Sequence, residues 1–290
     1  MRAFELLEPR SLAEACAVLA AETDAKPIAG GTALLTIIKQ GLQRPNCLVN
    51  LTKIRDGSAI SFDPHKGLRI GGLATINEIE TSPLVRAHCP VLAEACHVVA
   101  NIRIRNMATI GGNLAHADYQ SDPPTVLTAL DALVELACKR GTRQMKLSEF
   151  QRGSYETALE TGELITAILI PPMPQDLKGV YIKFTTGSSG ERPCAGVAAL
   201  ARMENGACRE LRLAVGAVSQ RPVRITAGED MARDKDLNKD LIEAIAAEAA
   251  RAVDPIEDVR GPVDYKRHLV QVLTRRAITA LANGHSEEIQ

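Results

Sequence analysis

The chain has 290 residues, of which 46% are apolar and 24% charged, and its 34 basic and 35 acidic side chains give a formal net charge of -1. This balance provides no broad positive face, so nucleic acid and anionic membrane surfaces are excluded as expected partners. The sequence has no apolar signal core and no run of about 18 apolar residues, and we therefore expect a cytoplasmic protein without a membrane span. Its length is sufficient for two or more domains.

The cysteines give no indication of a metal or disulfide framework. They are odd in number, widely spread and form no C-x-x-C pair, which is typical of small buried residues rather than of a zinc or iron–sulfur site. The seven are Cys16, Cys47, Cys89, Cys96, Cys138, Cys194 and Cys208. If the protein handles electrons, another kind of cofactor must carry them.

The sequence begins with a helix and then a strand that runs into a glycine pair. Ser11 and Glu14 have capping-box spacing, and the apolar residues that follow them predict a helix over residues 11–22. The segment "KPIAGGTALLTIIKQG" then predicts a short strand ending at Ala29, a Gly-Gly turn, and a helix over residues 33–40.

Glycine pairs recur further along the chain. A strand over residues 67–72 ends in one such pair, and a helix entered at a proline is predicted over residues 90–106. The next segment, "MATIGGNLAHADYQSDPP", contains another pair between an apolar step and a polar stretch. At its end, Asp122 and Pro123 are typical N-cap and first-turn residues of the following helix.

The second half of the chain predicts an α+β domain. The proline-rich segment "PPMPQD" follows the strand "ELITAILI" and marks the clearest boundary in the sequence. Three strand-like runs come after it, over residues 179–186, 194–204 and 208–219, and their short polar turns predict an antiparallel meander. Two helices then follow, over residues 237–253 and 264–284.

The two best glycine turns are candidates for binding a pyrophosphate. Residues without a Cβ atom let ligand oxygens reach main-chain N–H groups, and both "AGGTA" and "TIGGN" offer this arrangement. The dinucleotide fingerprint G-x-G-x-x-G is absent, which argues against a Rossmann fold. On the residues alone, a tight structural turn and a ligand site are about equally supported.

The order of these motifs resembles a known family. "PIAGGTALLTIIKQG", followed later by "NMATIGGNLAHADYQSDPPTVLTALDA", is similar to the FAD-binding medium subunit of the molybdenum hydroxylases, which includes the flavoproteins of carbon monoxide dehydrogenase and bacterial xanthine dehydrogenases. The resemblance extends to "ELITAILIP" and "YIKF" and so covers most of the chain. It implies a p-cresol methylhydroxylase-type FAD-binding domain with two α/β subdomains, followed by a C-terminal α+β domain with a three-stranded antiparallel sheet.

On that basis we predict the domain boundaries. The FAD-binding domain is expected over residues 1–175, with subdomains over about 1–55 and 56–175. The C-terminal domain is expected over 176–285, and residues 286–290 are predicted to form a loose tail.

The resemblance also implies which residues meet the cofactor. The first motif would hold the FAD pyrophosphate through its backbone amides, and the second would contribute N–H groups and side chains near the phosphates and flavin. The implied set is Ala29, Gly30, Gly31, Thr32, Ala33, Thr109, Ile110, Gly111, Gly112, Asn113, Asp122, Ile165 and Lys183. Asp122 is equally well explained as a helix cap, and Lys183 as an exposed lysine. His116 and Tyr119 are further candidates for contact with cofactor or acceptor.

The implied function is electron transfer. Substrate would be hydroxylated at a molybdopterin centre on a large subunit, and electrons would pass through two two-iron two-sulfur clusters of a small subunit to non-covalent FAD on this chain and then to an external acceptor. A dimer of heterotrimers is implied. No nucleophile, general base or metal ligand is assigned, because no side-chain constellation demands one.

Two alternatives remain open at this point. One is a stand-alone FAD-dependent oxidase or reductase of the same fold, although the part beyond Pro174 is short for a substrate-binding domain. The other is a nucleotide-binding regulatory or assembly protein whose glycine turns are structural. The sequence identifies neither the hydroxylated substrate nor the electron acceptor.

Overall fold

The computed structural model describes residues 3–22 and 24–284. Its first layer is a three-stranded parallel sheet in the order β1-β3-β2, with helices α1 and α2. These elements are β1 (Glu5–Leu7), α1 (Leu12–Ala21), β2 (Ala25–Ile28), α2 (Leu34–Lys39) and β3 (Cys47–Asn50). The Ser11 hydroxyl accepts a hydrogen bond from the N–H of Glu14, which confirms the predicted start of α1.

The second layer is a five-stranded antiparallel sheet in the order β4-β5-β10-β6-β7. Its strands are β4 (Ile60–Asp63), β5 (Gly67–Gly71), β6 (Leu133–Cys138), β7 (Gly141–Lys146) and β10 (Leu164–Ile170). Between β7 and β10 lie the short helix α9 (Leu147–Phe150) and the hairpin of β8 (Gln151–Gly153) and β9 (Glu156–Thr157). The predicted strand over 67–72 lies in this sheet.

A group of helices covers one side of that sheet. They are α3 (Ile76–Thr81), α4 (Pro83–His88), α5 (Pro90–His97), α6 (Ile102–Arg105), α7 (Ile110–His116) and α8 (Asp122–Ala129). The single helix predicted over residues 90–106 is wrong, because α5 ends at His97 and α6 is a separate turn. Ala100 takes a positive φ of 44°, and the Asn101 side chain caps α6 by accepting from the N–H groups of Arg103 and Ile104.

The C-terminal region contains an antiparallel sheet in the order β11-β12-β13-β14 and three helices. The three predicted strands are β11 (Lys178–Phe184), β12 (Ala195–Glu204) and β13 (Ala207–Gly216), and the two-residue β14 (Val223–Arg224) extends the sheet. The helices are α10 (Thr226–Ala232), α11 (Lys239–Ala252) and α12 (Val263–Ala282), of which the last two were predicted. The predicted tail over 286–290 lies outside the described residues.

Helix α8 joins the two halves of the molecule. All eight of its residues are buried, and its apolar side chains share one core with residues of β11, β12 and β13. The residue at its N-cap is Ser121, so the prediction that Asp122 caps this helix is wrong. Asp122 is instead the first helical residue, and its carboxylate is directed into the interior by two partners from β11.

Within the described ranges, none of the helices is long and apolar enough to cross a lipid bilayer. All seven cysteines are free, and all except Cys138 are buried, as predicted for small core residues.

Candidate functional site

A cleft of about 360 Å³ lies between the first glycine turn, α7 and β10. It is lined by every residue of the predicted site except Ile110, Asp122 and Lys183. The other lining residues are Lys26, Pro27, Ile28, Leu34, Ile37, Gln43, Leu51, Gly72, Leu73, Ala108, Ala115, His116, Leu159, Glu163 and Leu164. Two motifs that are far apart in the sequence therefore face one cavity.

The first glycine turn presents unused backbone donors to this cleft. Within residues 3–22 and 24–284, the N–H groups of Gly30, Gly31, Thr32 and Ala33 donate to no protein acceptor, and α2 has no side-chain cap. All four residues are half-buried. A consecutive run of free N–H groups in a concave turn is the arrangement that binds phosphate oxygens.

Glycine is required in this turn for two reasons. At Gly30, a Cβ atom would lie 1.7 Å from the carbonyl oxygen of Met107, because the turn packs directly on the backbone before the second motif. Gly31 has a positive φ of 69°, a left-handed conformation that side chains disfavour. The first motif therefore requires glycine both for its close contact with the backbone before the second motif and for its left-handed turn.

The second motif uses its backbone donors within the protein. The N–H groups of Ile110 and Gly111 donate to the carbonyl oxygens of Ala74 and Gly72, each at 2.9 Å. Gly112 donates to the Thr109 hydroxyl at 3.2 Å, and Asn113 donates to the Thr109 carbonyl oxygen at 2.9 Å. These four N–H groups already have protein acceptors, unlike those of the first turn, and the cofactor contacts expected of this motif stay a prediction.

The glycines of the second motif permit close packing of the chain on itself. A Cβ atom at Gly111 would lie 2.6 Å from the Gly72 carbonyl oxygen, and one at Gly72 would lie 2.3 Å from the Ile165 carbonyl oxygen. The three glycine turns therefore pack directly on one another beside the cleft. The pair Gly71-Gly72 is absent from the predicted set of cofactor residues, although its place after a strand repeats the pattern of the other two.

Side chains of the second motif still contribute polar groups to the cleft. The Asn113 carbonyl oxygen Oδ1 accepts a hydrogen bond from the Ser121 hydroxyl at 2.9 Å. This contact fixes the orientation of the amide and leaves its nitrogen available to a ligand. Burial lowers the pKa of the His116 imidazole more than the carboxylate of Asp118 raises it, so His116 is neutral at pH 7.

An acidic residue in the cleft is neutralised by a neighbouring arginine. Glu163 lines the cleft, and its two carboxylate oxygens accept hydrogen bonds from Arg143 at 2.7 and 2.8 Å. These bonds outweigh the effect of burial and lower the pKa of the Glu163 carboxyl. The paired carboxylate therefore does little to repel an anionic ligand. No signal in the sequence indicated this residue, since its position depends on how β10 packs.

The lowered pKa of Glu163 gives a prediction for stability against pH. The stabilisation by the Arg143–Glu163 pair is fully present above the ordinary glutamate pKa of about 4.3. It is lost as the pH falls through the lower pKa that Glu163 has in the folded protein. We expect Arg143→Met to reduce the free energy of unfolding at pH 7 by about 1 kcal/mol, and to reduce it less at pH 3. Urea unfolding at the two pH values measures this difference.

Arg140→Met provides the matched control, because the Arg140–Glu160 pair lies nearby with side chains 81% and 59% exposed. We expect that variant to unfold like the wild type at both pH values. An equal loss for Arg143→Met at pH 3 and pH 7 would contradict the assigned role of the Glu163 charge.

Asp122 and Lys183 bind each other instead of facing the cleft. The Lys183 ammonium lies 3.0 Å from Asp122 Oδ2 and also donates to the Val98 carbonyl oxygen at 2.7 Å. The Tyr181 hydroxyl donates to Asp122 Oδ1 at 2.8 Å. Burial raises the pKa of the Asp122 carboxyl to about 6, although Lys183 and Tyr181 act to lower it. Lys183 is thus not the exposed lysine that the sequence allowed.

Residues 2–173 match the FAD binding domain in molybdopterin dehydrogenase, and residues 184–281 match the CO dehydrogenase flavoprotein C-terminal domain. The chain belongs to this family of flavoproteins. The resemblance seen in the two glycine motifs is confirmed, and FAD is the cofactor of this domain type.

Relatives match this flavoprotein from end to end. The glyceraldehyde dehydrogenase medium chain of Sulfolobus acidocaldarius is 31% identical, with 96% of this chain and 98% of the relative covered. The carbon monoxide dehydrogenase medium chain of Hydrogenophaga pseudoflava is 31% identical, with 96% of each covered. Both relatives are oxidoreductase subunits by their names.

Solved structures show the same fold. Quinoline 2-oxidoreductase from Pseudomonas putida 86 aligns with a TM-score of 0.94 at 31% identity, over 99% of each chain. Carbon monoxide dehydrogenase from Hydrogenophaga pseudoflava gives the same TM-score, identity and coverage. The predicted α+β flavoprotein fold is confirmed by these alignments.

Proposed function

We propose that this chain is the FAD-binding electron-transfer subunit of a heterotrimeric molybdenum hydroxylase. The observation that carries the cofactor assignment is the run of free N–H groups from Gly30 to Ala33 in a half-buried glycine turn. The family match supports it, because that turn lies in the matched FAD-binding region. When bound, FAD supplies the capacity to exchange electrons with iron–sulfur clusters and with a two-electron acceptor.

Each motif has a distinct part in holding the cofactor. The free N–H groups of the first turn bind the pyrophosphate oxygens, and Gly30 keeps that turn against the second motif. Thr109, Asn113 and Ile165 line the same cleft and position the rest of the cofactor. Asp122 and Lys183 are not assigned direct cofactor contacts, because their charged groups are buried and paired with each other.

The partners follow from the names of the relatives. Several are medium chains or subunits, and one is a subunit of a 6-hydroxypseudooxynicotine dehydrogenase complex. We propose a large molybdopterin subunit, a small subunit with two two-iron two-sulfur clusters, and assembly as a dimer of heterotrimers in the cytoplasm. This favours the complex over a stand-alone oxidase, since the relatives that match 96% of this chain are named as medium chains.

The absorption spectrum of the chain purified with its native partners tests the proposal. We expect flavin and iron–sulfur absorbance in the complex, and release of free FAD on denaturation. The chain purified alone should retain FAD but hydroxylate no substrate. A covalently attached flavin with unaided turnover would instead establish the oxidase, and a chain that binds no flavin would overturn both.

A further inference from the structure

A polar cluster of the C-terminal region holds the segment that follows α7. Its centre is the carboxylate of Asp258, whose Oδ2 accepts hydrogen bonds from the Tyr119 hydroxyl at 2.9 Å and from Gln120 Nε2 at 2.8 Å. Its charge is balanced by the Lys266 ammonium at 2.8 Å, and the Lys266 side chain is 0% exposed. A half-buried carboxylate that is balanced in this way is a rigid acceptor.

Gln120 is fixed at both ends of its amide. Asp258 accepts from its nitrogen, and Arg260 donates to its oxygen at 3.0 Å. Both partners lie on the loop before α12. Since one accepts and the other donates, they fix the orientation of the amide. Gln120 itself is only 6% exposed, so water cannot substitute freely for either partner.

The same segment is held from a second direction. Arg192 lies 2.7 Å from the carboxylate of Asp118, which is 8% exposed, and Asp118 accepts from the N–H of Gln120 at 3.1 Å. Residues 117–121 are therefore restrained by two separate loops of the C-terminal region. α7 ends at His116, immediately before this segment, and Ala117 takes a positive φ of 49°.

The restrained segment leads directly to the cleft. Ser121 follows Gln120, and its hydroxyl donates to Asn113, whose side chain lines the cleft. The connected path runs from Asp258 and Arg260 through Gln120 and Ser121 to the amide of Asn113. Loss of the Gln120 contacts would free Ser121 and hence the Asn113 amide.

We propose that Asp258 and Arg260 are positioning residues for the cofactor cleft. By clamping Gln120, they orient Asn113 and make the retention of FAD depend on the C-terminal region. This inference rests on the proposed function of the cleft.

The informative substitution is Arg260→Met, because it removes one contact to Gln120 without leaving the buried Lys266 unpaired. Rebinding is prevented by dilution, and FAD release from the holoprotein is followed by the recovery of flavin fluorescence. We expect FAD release to be about tenfold faster than in the wild type. This is the change in rate that corresponds to losing roughly one hydrogen bond to a charged group. Arg260→Lys should recover part of the effect, since lysine also donates.

The matched control is Arg209→Met, another arginine of the C-terminal region, which is paired with Glu204 and Asp234. Its FAD release should equal that of the wild type. Hydrogen–deuterium exchange of residues 117–121 supplies a readout that does not need the flavin, and only Arg260→Met should accelerate it.

The outcomes separate the two proposals. If the wild type holds FAD and Arg260→Met releases it at the control rate, the positioning role is overturned and the proposed function stands. If exchange is faster but release is unchanged, the cluster restrains the segment without affecting the cleft, and the inference also fails. A wild type that holds no FAD overturns both proposals.

Discussion

Gly30→Ala is expected to abolish the retention of FAD by the purified chain. The new Cβ atom would lie 1.7 Å from the Met107 carbonyl oxygen and 2.5 Å from its carbon, and both are backbone atoms that cannot rotate away. The turn must therefore move off the 107–108 backbone, which displaces the N–H groups that the proposal assigns to the pyrophosphate. We expect FAD content after gel filtration to fall at least about tenfold, as when several hydrogen bonds to a charged group are lost.

Gly153→Ala is the matched control. Its Cβ atom would approach only side-chain atoms, at 3.3 Å or more, and the residue lies outside the cleft. Circular dichroism of both variants shows whether each chain is folded. Full FAD content in a folded Gly30→Ala chain would contradict the role given to the first turn.

Lys183→Met is expected to cost about 3–5 kcal/mol of unfolding free energy at pH 8, because it leaves the Asp122 carboxylate buried without its cation. The loss should shrink at pH 5. The folded pKa of Asp122 is about 6 even with Lys183 present, above the unfolded value. For a raised pKa, stability is greatest below the unfolded value and is lost as the pH rises through the folded one. Removing Lys183 raises the folded pKa of Asp122 further. At pH 5 the Asp122 carboxyl of the variant is therefore protonated, and the cost of an unpaired buried charge is avoided.

Urea unfolding of two further variants checks this interpretation. Lys178→Met changes an exposed lysine of the same strand and should have little effect. The double variant Asp122→Asn with Lys183→Met should be more stable at pH 8 than Lys183→Met alone, since no charge remains unpaired. A single variant that loses the same free energy at pH 5 and pH 8 would show that packing, not charge, is what Lys183 provides.

Local signals in the sequence were sufficient to predict much of the fold. The Ser11 cap and the three long strands of the last sheet depend on residues close together in the chain. The two glycine motifs were also found in this way. Both motifs line one cleft, so most of the predicted site residues lie together there.

The errors arose where distant contacts override a local pattern. Asp122 and Pro123 have the composition of a helix start, but partners on β11 draw the Asp122 carboxylate inward. The break after α5 depends on the positive φ of Ala100. Alanine rarely takes a positive φ, so the residue type does not indicate a break at this position. Gly111 lines the cleft and its cofactor contact stays a prediction, but the hydrogen bond from its N–H to Gly72 is a long-range contact that no local pattern indicated.

Helix α8 has a consequence for how this protein can be divided. Its apolar residues, including Val126 and Leu127, share a core with Ala198, Leu200 and Ala214 of the last sheet. A chain cut in the proline-rich segment would open that core on both pieces. The two regions that the family comparison distinguishes are therefore one cooperative unit energetically, and recombining either with the counterpart from a relative requires α8 and the strands it contacts to be exchanged together.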